Sequence, residues 1–221
     1  LVQSIGIAPG KVATVYGGVE IEDFTPDISG QGVREEFGFP PAAPLIVQVG
    51  AVVEKKGVEC LLDAFARLRE DLPEARLLFV GAGKTRAVEA FAASHGLSAH
   101  VRAAGHRDDV RPYYAAADVV VCASTKGEGL TGALREALAM ERPVVSTAVA
   151  GNVEIVRDEE TGRLVPPNDP MRLADAIGFM LSHAERARQM ASAGRRWVLE
   201  NCDERKRAQQ VEAIYREILA R

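Results

Sequence analysis

Short apolar runs that end at glycine alternate along this chain with amphipathic helical stripes, and that alternation leaves few folds open. Leu45-Ile46-Val47-Gln48-Val49 stops at Gly50, and Ala75-Arg76-Leu77-Leu78-Phe79-Val80 stops at Gly81. The run 100–104 stops at Gly105. Further strand-like runs lie at 118–122, 143–146 and 162–165. Between the first two, Val58, Leu61, Leu62, Phe65, Leu68 and Leu72 recur at helical spacing over 57–72. The spacing predicts further helices over 85–95, closed by Gly96, over 111–116 and over 132–140. From Pro170 onward the pattern is wholly helical, over 171–182, 184–200 and 204–220. Strand-helix alternation of this length predicts βαβ units, hence an α/β fold with a parallel sheet and helices on both faces. The strands read as unbroken apolar runs because both of their faces are covered.

In such sheets ligands bind outside the carboxyl ends of the strands. Gly50, Gly81, Gly105 and the loop before Gly132 all lie there. That loop reads Glu128-Gly129-Leu130-Thr131-Gly132, with a second acid at Glu136 inside the following helix. A helix start offers unpaired N–H groups and partial positive charge to a phosphate. Carboxylates beside it accept hydrogen bonds from sugar hydroxyls. A nucleotide sugar carries both groups. Taken alone, two acids near a helix start are more often solvated and favoured by the helix dipole. The convergence of the loops at strand ends moves the balance toward a ligand.

Several other classes fall away. The chain's 221 residues, 47% of them hydrophobic, suit one large domain with a substantial core. A net charge of -4, from 27 basic and 31 acidic residues, and the lack of a basic cluster argue against nucleic acid. No stretch of about 20 apolar residues spans a membrane. Residues 1–6 are too short and uncharged for a signal peptide. The chain does not begin with Met, a hint that it is a piece of something longer. Cys60, Cys122 and Cys202 are odd in number and scattered, as in a reducing cytoplasm, and form no disulfide framework. His95, His100, His106 and His183 have no ligand spacing, so no metal is expected. Gly81-Ala82-Gly83-Lys84-Thr85 imitates a P-loop, but Leu78 stands where its first glycine belongs. It also imitates a dinucleotide fingerprint, but Arg86 replaces the third glycine and no acid ends the next strand. Ser124 and Thr125 lack the glycines of a nucleophile elbow. His106-Arg107-Asp108-Asp109 reads as a turn and helix cap or as a ligand-facing loop, and Arg205-Lys206-Arg207 as a solvated helix face.

Taken in order, the motifs resemble the carboxyl-terminal, donor-binding domain of GT-B retaining glycosyltransferases of group 1 (family 4). The resemblance opens at Gly18-Val19-Glu20-Ile21-Glu22-Asp23-Phe24, similar to that family's interdomain junction. It continues through Val49-Gly50 with Glu54-Lys55-Lys56-Gly57, Val80-Gly81-Ala82-Gly83, and Tyr114-Ala115-Ala116-Ala117-Asp118-Val119. Glu128-Gly129, Glu136-Ala137, Pro143-Val144-Val145, Gly151 with Glu154, and Gly162-Arg163-Leu164-Val165-Pro166-Pro167 complete it.

The resemblance implies a single Rossmann-like domain over 1–221, the carboxyl half of a GT-B architecture. Residues 1–24 would form the junction, and helix 204–221 would return to an amino-terminal domain or pack on its own domain. It implies retaining transfer from a nucleoside-diphosphate sugar without a metal or other cofactor. Glu136 would accept the ribose hydroxyls, and Glu128 would sit at the transferred sugar. N–H groups of Gly129, Leu130, Thr131 and Gly132 would face the sugar and diphosphate, and Lys56 would neutralise the leaving group. The Gly50-Ala51 loop would flank the donor, and Gly105, His106 and Arg107 would edge the base. A carbohydrate or lipid-linked acceptor would be held by the amino-terminal domain, with the full-length protein in the cytoplasm or at the inner membrane surface. Three positions depart from the family. Ala51 replaces the usual arginine, with Lys55 a candidate substitute; Glu141 stands where a glycine ends the helix; and Ala150 replaces the first of two glycines. Ala51 keeps open a binding module without turnover, and a GT-B phosphorylase or sugar-phosphate synthase is the third reading.

Overall fold

The structure, a computed structural model, describes residues 6–127 and 129–220. Six parallel strands form one sheet: β1 (Leu45–Val49), β2 (Arg76–Val80), β3 (Val101–Gly105), β4 (Val119–Cys122), β5 (Val144–Thr147) and β6 (Arg163–Val165). Their spatial order is β3-β2-β1-β4-β5-β6. The helices are α1 (Gln31–Glu36), α2 (Val58–Asp71), α3 (Thr85–Ser94), α4 (Arg111–Ala116), α5 (Gly132–Ala139), α6 (Asn152–Ile155), α7 (Pro170–Ser182), α8 (Ala184–Asn201) and α9 (Glu204–Leu219). The expected α/β, Rossmann-like architecture is present, and strand and helix bounds agree with the sequence pattern to within a residue or so. The pattern missed α1, which buries Val33 alone, and the 4-residue α6.

Strand side chains alternate between two cores, as the period of two requires. Ile46, Leu77, Phe79, Val119 and Val121 face one core with Leu61, Phe65 and Leu68 of α2 and Ile177 of α7. Leu45, Val47, Leu78, Val80 and Val120 face the other with Tyr113 and Tyr114 of α4 and Leu134 and Leu138 of α5. Burial on both faces is what fixes the sheet as the middle layer.

The end of α5 explains one departure from the family. Arg142 N donates to Ala137 O and Glu141 N to Leu138 O, both at 2.9 Å. This paired closure needs a left-handed residue at Glu141, and its φ is 55°. At the end of α3 the same closure uses Gly96, at φ 67°. A side chain in this conformation costs about 1–2 kcal/mol, and glycine returns part of that by loosening the unfolded chain. Glu141→Gly is therefore expected to stabilise the protein by about 0.5–1 kcal/mol, read by denaturant unfolding; a lower stability would show that Glu141 is not strained. Ala150 also lies at positive φ, 39°, where the family has glycine.

Helix α9 buries none of its residues. Tyr215, Ile218 and Leu219 are 64, 59 and 85% exposed. Val211 and Ile214 of its apolar stripe are half-buried. The start of the helix is tied to the domain. Asp203 caps it by accepting from Arg205 N at 2.9 Å, and Val19 brackets it through Val19 N to Cys202 O and Glu204 N to Val19 O. Among the described residues no helix is long and apolar enough to cross a membrane.

Candidate functional site

The strand order reverses its direction of growth between β1 and β4, so their carboxyl ends open a crevice that no crossover covers. Two loops flank it. After β1 the chain passes Gly50 and Ala51 and makes a single 3-10 turn, Glu54–Lys56, closed by Gly57. After β4 it runs through Ala123, Ser124 and Thr125 toward α5. The loops are tied together, since Thr125 N donates to Lys55 O at 2.9 Å. Gly57, at φ 66°, lies so close to β4's end that a Cβ there would overlap the carbonyl oxygen of Ala123. The Lys56 stem passes over Gly50; a Cβ on Gly50 would lie 3.9 Å from Cε of Lys56. Lys56, Gly50 and Ala51 thus stand at one wall of the crevice, with α5 at the other. Ala51 is exposed and leaves that wall without the family's arginine, and Lys55 is exposed beside it.

The start of α5 is shaped from beneath. Thr131 occupies the N-cap position but does not cap the helix with its side chain. Its hydroxyl turns down and donates to Asn152 Oδ1 at 2.6 Å. Asn152 Nδ2 donates to Ser146 Oγ at 3.1 Å, and Thr147 Oγ1 donates to the carbonyl of Ser124 at 2.6 Å. Ser124, Ser146, Thr147 and Asn152 are fully buried. A satisfied polar network in a low-dielectric core is rigid, because each broken bond leaves an unpaired buried group. It holds both loop ends while leaving the first N–H groups of α5 without a side-chain cap among the described residues. Gly151 packs directly under this loop, where a Cβ would lie 2.7 Å from Leu130 N and 2.9 Å from the Gly129 carbonyl carbon. An uncapped helix start, 8 residues long and facing a crevice, is suited to an anion.

Glu136 projects from the first turns of α5. Its Oε2 accepts from the hydroxyl of Tyr114 at 2.7 Å. Its Oε1 lies over Gly132, where a Cβ would be 3.5 Å away. Burial first, then the Glu136 charge, push the Tyr114 phenol well above its ordinary range, so it remains a donor. Arg135 is held beside it, donating to Leu130 O at 2.9 Å. Glu128 lies outside the described residues.

The other expected residues line the far side of the same edge. Gly81 N donates to Gly105 O at 2.8 Å and Gly50 N to Val80 O at 2.9 Å, so three strand ends abut. The Arg107 guanidinium pairs with Glu36 and lies 5.8 Å from the centre of the Tyr113 ring, which turns its side chain toward α1 and α4. His106 is exposed and 3.3 Å from Asp108. Asp109 accepts from Arg111 N at 3.0 Å, which makes this stretch a turn at the entry to α4. From β3 to β4 the edge spans three strand spacings, about 14 Å. Gly81 and Gly83 lie against the backbone of the loop after β1. A Cβ on either would strike the carbonyl oxygen of Gly50 or Val52, so these glycines allow neighbouring loops to touch. Ser124 is buried. Among the described residues no group of three or more His, Cys, Asp or Glu side chains could hold a metal.

Sequence reasoning gave no role to Asn152, Gly57 or Tyr114. Gly57 carried a signal, the glycine after Lys55-Lys56. Asn152 carried none, since its partners lie at positions 131 and 146 on other elements.

The parallel sheet covered by helices, with its crevice where the strand order reverses, defines a Rossmann-like α/β domain. Residues 43–183 match the family described as glycosyl transferases group 1, and the chain belongs to that family. The D-inositol 3-phosphate glycosyltransferase of Xylanimonas cellulosilytica is 34% identical over 208 residues, 88% of this chain and 49% of that protein. The GDP-mannose-dependent alpha-(1-6)-phosphatidylinositol monomannoside mannosyltransferase of Mycolicibacterium smegmatis is 31% identical over 194 residues, 83% of this chain and 50% of that protein. The crystal structure of a glycosyltransferase from Rickettsia africae superposes with a TM-score of 0.90 at 25% identity, covering 97% of this chain and 59% of that one. The fold is that of one half of a GT-B glycosyltransferase. The chain spans about half the length of the relatives it matches.

Proposed function

We propose that the chain is the donor-binding half of a retaining glycosyltransferase that moves a sugar from a nucleoside diphosphate to a carbohydrate or lipid-linked acceptor. The observation that carries this reading is the start of α5, which has no side-chain cap among the described residues and lies at the β1/β4 crevice, with Glu136 on its first turns and the Lys56 stem near Gly50 at the end of β1. In it, Glu136 receives the ribose hydroxyls and the backbone at Gly105–Arg107 edges the base. Gly129–Gly132 N–H groups and Lys56 stabilise the departing diphosphate. Fixed positive groups of this kind stabilise developing charge without the reorganisation that water would need. They stand in place of a metal, so transfer is expected to persist in a chelator. Glu128 is placed at the transferred sugar by its position in the motif alone. Residues 1–24 and α9 connect to the acceptor-binding domain, which covers the exposed apolar face of α9.

The second reading, a nucleotide-sugar binding module without turnover, rests on Ala51, which leaves the diphosphate with one cation fewer at this wall. Transfer by the full-length protein with a sugar donor excludes it.

The donor site itself is tested by thermal unfolding with UDP, GDP, ADP and their sugar conjugates. A nucleotide at about 100 times its dissociation constant adds roughly 2.7 kcal/mol of stability. One nucleoside diphosphate and its sugar are expected to stabilise the chain, and Glu136→Ala is expected to abolish most of the shift. No shift with any of them overturns the reading.

A further inference from the structure

We propose that Tyr114 is a positioning residue that fixes the Glu136 carboxylate for the ribose of a nucleotide. The inference rests on the donor-site reading above and deepens it. Glu136 is half-buried on the first turns of α5, where a glutamate side chain ordinarily explores several rotamers and loses that freedom when fixed. Here one oxygen is already held. Tyr114 reaches it from the interior at 2.7 Å, with a side chain fully excluded from solvent. The ring has no freedom to follow a moving carboxylate. It lies in the core with Leu134 and Leu138, and Phe24 packs edge-on against it at 6.4 Å between centroids and 61° between planes. The hydroxyl therefore holds Oε2 at one point, while Oε1 stays over Gly132 at the helix start, where phosphate and sugar would meet. A carboxylate locked in this way binds a pair of hydroxyls with its ordering completed before the ligand arrives. Burial keeps the phenol protonated, so the bond is present across the working pH range.

The competing account is that Glu136 merely satisfies a buried hydroxyl. The two accounts differ in what Tyr114→Phe does, because this change keeps the ring and removes one oxygen. UDP, GDP and ADP are titrated into the full chain by calorimetry. The tightest of them and its 2′,3′-dideoxy counterpart are then titrated into Tyr114→Phe, Glu136→Ala and the double variant. The expected result is a loss of about tenfold in affinity for the nucleotide in Tyr114→Phe, the size of one charge-assisted hydrogen bond. The dideoxy ligand is unaffected, and Tyr114→Phe adds nothing to Glu136→Ala. Phe24→Leu, which keeps the hydroxyl but loosens its ring, is expected to show a smaller loss confined to the same ligand. It carries the test if Tyr114→Phe does not fold. A Tyr114→Phe variant with wild-type affinity, or one that loses both ligands equally, overturns the positioning role while Glu136→Ala keeps the donor site standing. Wild-type chain that binds none of the three nucleotides, or Glu136→Ala with unchanged affinity, overturns the donor site and this role with it.

Discussion

Gly57→Ala is expected to destabilise the protein by about 3–5 kcal/mol and to abolish nucleotide binding in whatever fraction still folds. Two separate terms add. The backbone at Gly57 is left-handed, φ 66°, which costs a residue with a Cβ about 1–2 kcal/mol. The Cβ would also overlap the carbonyl oxygen of Ala123, and backbone cannot rotate away as a flexible side chain can. Relief requires the 3-10 turn Glu54–Lys56 to rise off the end of β4. That motion breaks the hydrogen bond from Thr125 N to Lys55 O and carries Lys56 away from the crevice. Denaturant unfolding reads the first effect, and nucleotide titration under folding conditions reads the second. A loss of about 1 kcal/mol with normal binding would show that the left-handed backbone alone matters and that the two loops are not rigidly coupled. Gly10→Ala is the contrast. A Cβ there meets nothing within 4 Å, so little change is expected.

Lys56→Met in the full-length protein is expected to lower the rate of sugar transfer by about 10²–10³-fold, with a smaller change in donor affinity. Methionine keeps most of the apolar stem that passes over Gly50, so packing changes little and the charge is what is lost. Charge accumulates on the diphosphate as the glycosidic bond breaks, so a fixed cation there stabilises the transition state more than the bound donor. With alanine at position 51, no arginine of that loop shares the task. The steady-state rate and the donor dissociation constant, measured on the same preparation, separate the two effects. Equal losses in rate and affinity would assign Lys56 to donor binding alone, and an unchanged rate would remove it from the leaving-group site.

Much of this protein was legible from one sequence because its signals are local. A strand buried on both faces must be a run of apolar residues, so β1, β2, β4 and β5 were visible at once. Helices of ten residues or more complete enough turns to show their stripe, as α2 and α7 do. The 6-residue α4 buries Tyr113, Tyr114 and Ala116, whereas the 6-residue α1 buries Val33 alone and the 4-residue α6 completes little more than one turn. The glycines at strand ends marked the carboxyl edge of the sheet, and the loop holding Gly129 and Gly132 marked the start of α5. Ala51 and Glu141 were visible as departures, but only the structure gave Glu141 its reason, a left-handed closure that glycine fits better.

Tertiary structure alone decided the order of the strands, and with it the place of the crevice between β1 and β4. It decided that Asn152 holds Thr131, that Tyr114 holds Glu136, and that the glycines of the Gly81 loop serve contact between loops. It also decided that Tyr215, Ile218 and Leu219 of α9 stay exposed. The physical reason is common to all of these. Periodicity and backbone preference are encoded within a few residues of each other, whereas a buried hydrogen bond joins groups 21 or 22 residues apart whose distance is set by packing of the whole sheet. A sequence states which residues want to be buried or capped, and only the closed core determines which of them meet.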